Sequence, residues 1–322
     1  MFFRHALALT ITYVASWGAA LAQGYPAKPI RLIIASAAGG STDTIGRTVG
    51  DGMVDALGQP VVHDNRAGAG GIVAGDLTAR AAPDGYTFLL ATTAGIAVSG
   101  NFYKTLPYDP IKDFAPIVLV ATQPYVMVVN PAVANSVSEL IARARAKPGQ
   151  ITFGSTGIGT SSHLAGEFLK NITGIDILHV PYKSMSAAMI DVASGRASLA
   201  FGSHIATVSL VKSGRLKALA VTSATRSSGA PELPTLDEAG VRGYALENWY
   251  GLLAPARTPL AIVNRINAIA NKTLSRAEVK ERMARDGTSA MGGTSAEFGM
   301  FINTEIVKWA KLLKSAGIVA DK

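Results

Sequence analysis

The sequence predicts an α/β protein built as two lobes, and three features carry that prediction. Short apolar, β-prone runs alternate with amphipathic helical stretches along nearly the whole chain. Glycine-rich loops twice join a strand to a helix, at residues 36–43 and 154–162. The alternation also restarts near Gln123, as a second block rather than an extension of the first. With 322 residues, 48% hydrophobic and 16% charged, the chain has ample apolar side chain for a sizeable core.

Residues 1–22 stand apart. Arg4 and His5 precede an apolar run over residues 6–14, and Ala20-Leu21-Ala22 puts small residues at the −3 and −1 positions of a cleavage site before Gln23. This pattern predicts a secretory signal, and hence export to the periplasm. A membrane anchor fits less well, because Thr10, Thr12 and Ser16 interrupt a short apolar core. The chain has no cysteine, which excludes disulfides, thiolate nucleophiles and cysteine metal sites. Its formal charge is +8, but the basic residues are scattered singly and do not interleave with aromatics, so no nucleic-acid partner is expected. A mild attraction for anionic solutes is the better inference.

The first block opens with a buried strand at residues 30–35. It empties into Ser36-Ala37-Ala38-Gly39-Gly40-Ser41-Thr42-Asp43, after which Ile45, Val49 and Met53 mark one face of a helix ended by Gly58. Asp43 falls in the first helical turn, where a carboxylate is favoured; capping by Ser41, Thr42 or Asp43 and a ligand contact are both open. A short strand at 61–63 and a glycine-rich turn at 68–71 lead to a helix at 72–81. Pro83-Asp84-Gly85 then turns the chain into a strand at 86–92. The order β-α-β-α-β predicts an open parallel sheet.

The second block runs as a strand at 125–129, a helix from Asn135 or Ser136 to Ala146, and a strand at 151–154. After the loop treated next come a strand with its exit at 177–183, a helix at 187–193, a strand at 197–201, a helix at 205–211 and a strand at 216–221. Two such lobes leave a cleft in which strand ends collect ligands. Residues 234–240 read as a short helix with a glycine stop, 249–255 as a returning strand, and 260–274, 277–286 and 295–316 as amphipathic helices covering the first lobe's sheet.

The loop after residue 153 is the most informative stretch. Gly154 to Ser162 is too rich in Gly, Ser and Thr to pack as core, and Leu164, Phe168 and Leu169 take up helical spacing behind it. Backbone N–H groups, hydroxyls and the positive end of a helix dipole therefore meet at one point, which suits an anion. Gly154 to Ser161 matches the spacing of a nucleotide-phosphate loop except at the lysine, where Thr160 stands, so a triphosphate lacks its main counter-charge. The third glycine of a dinucleotide fingerprint and the flanks of a nucleophile elbow are missing too. A small carboxylate seat and a water-covered glycine turn both stay open at this level.

Taken together in order, these segments resemble the extracytoplasmic solute receptors of tripartite tricarboxylate transporters, the Bug or TctC family. The resemblance is carried by Tyr25-Pro26, Lys28-Pro29-Ile30, Ala38-Gly39-Gly40 with Thr42-Asp43, Asn65 with Gly68-Ala69-Gly70-Gly71, and Pro83-Asp84-Gly85-Tyr86-Thr87. It continues through Gly154-Ser155 to Gly159 and His163, His179-Val180-Pro181-Tyr182-Lys183, Leu219-Ala220-Val221 with Arg226, Pro234-Thr235, Trp249 and Ala254-Pro255. It implies a two-lobe periplasmic binding protein of the type II, Venus-flytrap kind. Lobe 1 would comprise residues 23–122 and 248–322, and lobe 2 residues 123–247, with hinges near 121–123 and 246–249. A small organic carboxylate would sit between two opposed helix N-termini. The implied ligand residues are Ala38, Gly39, Gly40 and Asp43 in the first loop, Thr92 and Thr93 at a strand end, and Ser155, Gly157, Gly159, Thr160, Ser161 and His163 in the second loop, with Lys183 at the cleft edge. Membrane subunits of a transporter are the implied partners, the receptor being a monomer without cofactor or metal.

Two departures from the family pattern bear on the ligand. Ser184 follows Lys183 where family members often have glycine, and Gly202-Ser203-His204 replaces an acidic residue that in relatives pairs with an amino group. The resemblance therefore implies a simple or aromatic carboxylate rather than an amino acid. Two other functions are weighed beside transport. One is a periplasmic ligand sensor for a membrane signalling partner. The other is a secreted hydrolase using His163 with Ser155, Ser161 or Ser162, for which the motif supplies no orienting carboxylate. The five histidines are scattered, with no metal-binding spacing.

Overall fold

A computed structural model describes residues 24–315 and Gly317, so the predicted leader lies outside the described residues. Eleven strands are described: β1 (Ile30–Ile34), β2 (Val61–Asn65), β3 (Thr87–Thr92), β4 (Phe114–Pro124), β5 (Val126–Val129), β6 (Ile151–Ser155), β7 (Ile177–Pro181), β8 (Leu199–Gly202), β9 (Lys217–Val221), β10 (Glu247–Pro255) and β11 (Ser289–Ala290). They form two sheets, one per lobe, in the orders β11-β4-β10-β3-β1-β2 and β7-β6-β8-β5-β9.

Neither sheet is wholly parallel, which corrects the sequence expectation. β1 pairs in parallel with β2 and β3, and β6 with β7 and β8, as the βαβ order requires. However, β10 inserts antiparallel between β3 and β4, and β5 lies antiparallel between β8 and β9. The reason is connectivity. β4 carries the chain out of the first lobe and β10 brings it back, so two crossings running side by side must point in opposite directions. β4, eleven residues long and missed in the sequence reading, pairs with β10 from Glu247↔Pro124 to Pro255↔Phe114.

Helices cover both faces. On one face of the first sheet, α1 (Ser41–Leu57) packs Ile45, Val49 and Met53 with Ile266, Ala270 and Leu274 of α8 (Leu260–Ser275) and Val279 and Met283 of α9 (Ala277–Arg285). α1 ends at Gly58, whose left-handed φ of 64° lets its N–H close on Val54 O. The other face holds α2 (Ile72–Ala79), a wide helical turn at Ala94–Val98 that continues into α3 (Ser99–Phe102), and α10 (Ser295–Ser315). A Cβ at Gly251 would overlap the Phe298 ring, so α10 lies directly on β10 there.

In the second lobe, α4 (Val137–Ala146), α5 (Ser161–Thr173), α6 (Met185–Ala193) and α7 (His204–Lys212) flank the sheet. The core on the α10 side does not stop at the lobe boundary. It runs from Ile96, Phe102 and Phe298 through Trp249, Tyr244 and Leu246 to Phe153, Leu164 and Phe201. The helix expected over residues 234–240 is instead a single turn. Thr235 and Glu238 exchange capping-box bonds of 3.0 Å each, while Thr235 bridges to Val221 at the sheet edge, and the chain leaves for β10 before a second turn can form.

Candidate functional site

The head of α1 is built from residues without bulk. Residues 37–40 are exposed, Gly39 takes φ +83°, and Gly40 caps the helix with backbone alone, making no side-chain cap bond. Asp43 faces inward. Its carboxylate accepts the Gly39 N–H (2.8 Å), the Asn65 amide (3.0 Å) and Arg47 Nε (3.0 Å). Burial alone would raise this carboxyl, but those three donors hold it below the ordinary aspartate range. Asp43 thus fixes the loop and neutralises Arg47. Among the described residues, the N–H groups of Ser41 and Thr42 meet no backbone acceptor, as the first turn of a helix dictates.

The head of α5 is built differently. Thr160 caps the helix, accepting the His163 N–H (3.4 Å) and donating to Gly157 O (2.7 Å). Ser162 Oγ accepts the Thr156 N–H at 3.1 Å. Ser155 is fully buried; its Oγ accepts the Gly157 N–H at 3.0 Å and lies 2.6 Å from His179 Nε2. His163 Nδ1 accepts the Gly159 N–H at 3.2 Å. The N–H groups of Gly157 and Gly159 are therefore engaged by side chains of their own lobe. Burial, reinforced at His163 by neighbouring His179, depresses both imidazoles, His163 to about 3 and His179 to about 4, so both are neutral at neutral pH.

The head of α5 meets the crossing strands. Ser161 Oγ donates to Asn248 Oδ1 at 3.1 Å, and Ser161 also neighbours the Tyr125 hydroxyl. The Tyr250 hydroxyl donates to Gln123 Oε1 at 2.9 Å. Burial pushes the Tyr250 phenol up to about 12, so it stays a neutral donor. One hydrogen bond joins the lobes directly, Ser41 Oγ donating to Ser203 Oγ at 2.9 Å, and a Cβ on Gly70 would stand 3.9 Å from the Gly159 carbonyl. Hydrogen bonds thus tie the second-lobe loop to the crossing strands and the head of α1 to the second lobe.

Three expected site residues sit differently. Thr93 is wholly buried, and its hydroxyl accepts the Trp249 N–H at 2.8 Å. Thr92, nearly buried, receives the Gly95 N–H at 3.5 Å. Lys183 is exposed, two residues past the strand end whose neighbour Tyr182 donates its N–H to Ser155 O. Sequence reasoning missed Gln123, Asn248 and Tyr250. A signal existed, since Gln123 and Asn248 are polar side chains inside otherwise apolar strands, both buried here. The hydrolase alternative set His163 beside Ser155, Ser161 or Ser162. Ser155, however, is buried and hydrogen-bonds with His179 of the neighbouring strand β7.

The family model for TctC, the tripartite tricarboxylate transporter family receptor, matches residues 45–318. The chain belongs to the TctC, or Bug, family. This TctC receptor is 35% identical to BugT of Bordetella pertussis over 316 residues, covering 97% of each chain. Among solved structures, Rpa4515 of R. palustris with adipate shares 33% identity and a TM-score of 0.86, over 92% of this chain and 99% of that one. The periplasmic binding protein BugD shares 32% identity and a TM-score of 0.85, over 92% and 100%. The two-lobe fold of the TctC receptor is that of periplasmic solute-binding proteins, and the family and these neighbours are binding proteins, not enzymes. No described helix is long and apolar enough to cross a membrane.

Proposed function

We propose that the protein is a periplasmic receptor that captures a small organic carboxylate between the heads of α1 and α5 and passes it to the membrane subunits of a tripartite transporter. The observation that supports this reading is that the heads of both helices are hydrogen-bonded across the lobe boundary, α1 through Ser41–Ser203 and α5 through Ser161–Asn248. A helix head contributes about 0.3–1 kcal/mol toward an anion when exposed and up to ~2 when partly buried. Hydrogen bonds to a charged group add about 1.5–3 kcal/mol each. A few such contacts reach roughly −8 kcal/mol, micromolar affinity, after ordering costs. Donors without a full cation suit a carboxylate better than a triphosphate.

Lobe 1 is taken as residues 23–122 and 248–322, lobe 2 as 123–247, and the leader as the export signal. Gly202-Ser203-His204 supplies no carboxylate for an amino group, which favours a plain dicarboxylate of the kind that the R. palustris neighbour holds as adipate. Calorimetric titration of the mature chain with adipate, shorter dicarboxylates, aromatic carboxylates, aspartate and glutamate tests this. Micromolar binding of a plain carboxylate is expected, and tight aspartate or glutamate binding with no carboxylate response would overturn the ligand class.

A further inference from the structure

Behind the second-lobe loop two imidazoles lie against each other. His163 comes from the first turn of α5 and His179 from β7; their ring centroids are 4.2 Å apart, and Phe153 packs against both. Because His163 Nδ1 accepts the Gly159 N–H, its proton sits on Nε2, 4.0 Å from Glu167 Oε1. Gly159 is a peptide with demanding surroundings. It holds φ +76°, a Cβ there would meet the Phe102 ring and the Tyr103 hydroxyl, and its carbonyl would stand 3.9 Å from a Cβ on Gly70 of the other lobe. A left-handed glycine has no side chain of its own to fix that orientation.

We propose that His163 is a positioning residue rather than a ligand contact: its Nδ1, acting as an acceptor, locks the Gly159 peptide in the orientation that lets the second-lobe loop close on the first lobe. A proton on Nδ1 would place a donor against the Gly159 N–H and break the lock. The groups facing the ring are His179 of β7, Lys170 and Glu167 of α5 and the apolar Phe153; His179 in turn faces Ser155. Burial, with His179 and Lys170 near by, disfavours that proton, and Glu167 Oε1 stands beside the other nitrogen.

The test separates an acceptor from mere bulk. In His163→Asn the amide oxygen can stand where Nδ1 stands, whereas His163→Leu fills the space without an acceptor. In ligand-free protein, amide exchange at Gly159 read by NMR is expected to speed up about tenfold or more in His163→Leu and to change by less than about threefold in His163→Asn. Wild-type His163 should show the tautomer with a bare Nδ1. Adipate affinity, which rests on the proposed function, should fall about tenfold in His163→Leu and be largely kept in His163→Asn. Unchanged Gly159 exchange in His163→Leu, equal losses in both variants, or a proton on Nδ1 in the wild type would overturn the proposal. Should His163→Leu not fold, the wild-type tautomer and the Gly159 exchange of His163→Asn decide it. Wild-type protein indifferent to adipate would strike the choice of ligand, while the exchange result still decides the role of His163.

Discussion

Ser161, the first residue of α5, donates its hydroxyl to Asn248 Oδ1 at the start of β10. A helix head in one lobe is thereby tied to the strand that returns to the other. Replacing Asn248 by Ala leaves the buried Ser161 hydroxyl without that acceptor and should cost about 1–2 kcal/mol in the closed form. Adipate affinity should fall roughly five- to thirtyfold, by calorimetry. An unchanged dissociation constant would remove Asn248 from the coupling.

Gly159 cannot take a side chain quietly. Its φ of +76° is left-handed, and an added Cβ would stand 2.9 Å from Phe102 Cε1. Gly159→Ala should cost about 1–2 kcal/mol of backbone strain in the loop, and the Phe102 clash, which lies between the lobes, adds a penalty on the closed form. Small-angle scattering with saturating adipate should show a larger radius of gyration than wild type; equal compaction would mean that the contact yields without cost.

The neutral histidines give stability a defined pH dependence. Burial lowers His163 to about 3 and His179 to about 4 in the folded chain, while an unfolded histidine titrates near 6.5. Between these values the unfolded chain binds more protons, so stability is full above about pH 6.5 and falls as pH drops toward 4 and then 3. The half-buried carboxyls of Glu247 and Asp286, raised by desolvation, work in the opposite direction. The comparison is therefore wild type against His179→Gln in urea unfolding at pH 7, 6 and 5. The variant should show the shallower decline, and parallel declines would refute the assignment.

Gly251 offers a test of the shared core apart from ligand chemistry. A Cβ there would run into the Phe298 ring, which in turn packs edge-on against Trp249 at 5.8 Å. Overpacking of this kind costs about 1–3 kcal/mol, so Gly251→Ala should lower the melting temperature by several degrees. A melting point within a degree of wild type would show that α10 slides freely.

Most of the architecture was legible because it rests on local signals. Gly58 after the Ile45-Val49-Met53 stripe ends α1, and Ser136 caps α4 by accepting the Glu139 N–H, both as the residues imply. What escaped was long-range. Nothing local in residues 114–124 says that this strand pairs antiparallel with one more than a hundred residues later, and strand direction follows from which way the chain crosses. The same holds for the site. Its glycine loops announce themselves by composition, whereas Asn248 acquires meaning only once β10 brings it to the head of α5. The burial of Ser155 against His179 likewise follows from the β6–β7 pairing, which no local signal announces.

Between β4 and β5 there is a single residue, Tyr125, whose N–H donates to Thr222 Oγ1 and whose carbonyl accepts the Thr222 N–H; Thr222 O in turn accepts the Leu246 N–H. The outgoing and returning chains are thus clipped into one narrow ribbon, with no slack for either to move alone. Such a joint bends as a leaf spring does, about one line, so the cargo compartment can widen only by swinging a whole half of the molecule. On the proposed reading, release to a membrane partner then requires a push on that half as a rigid lever.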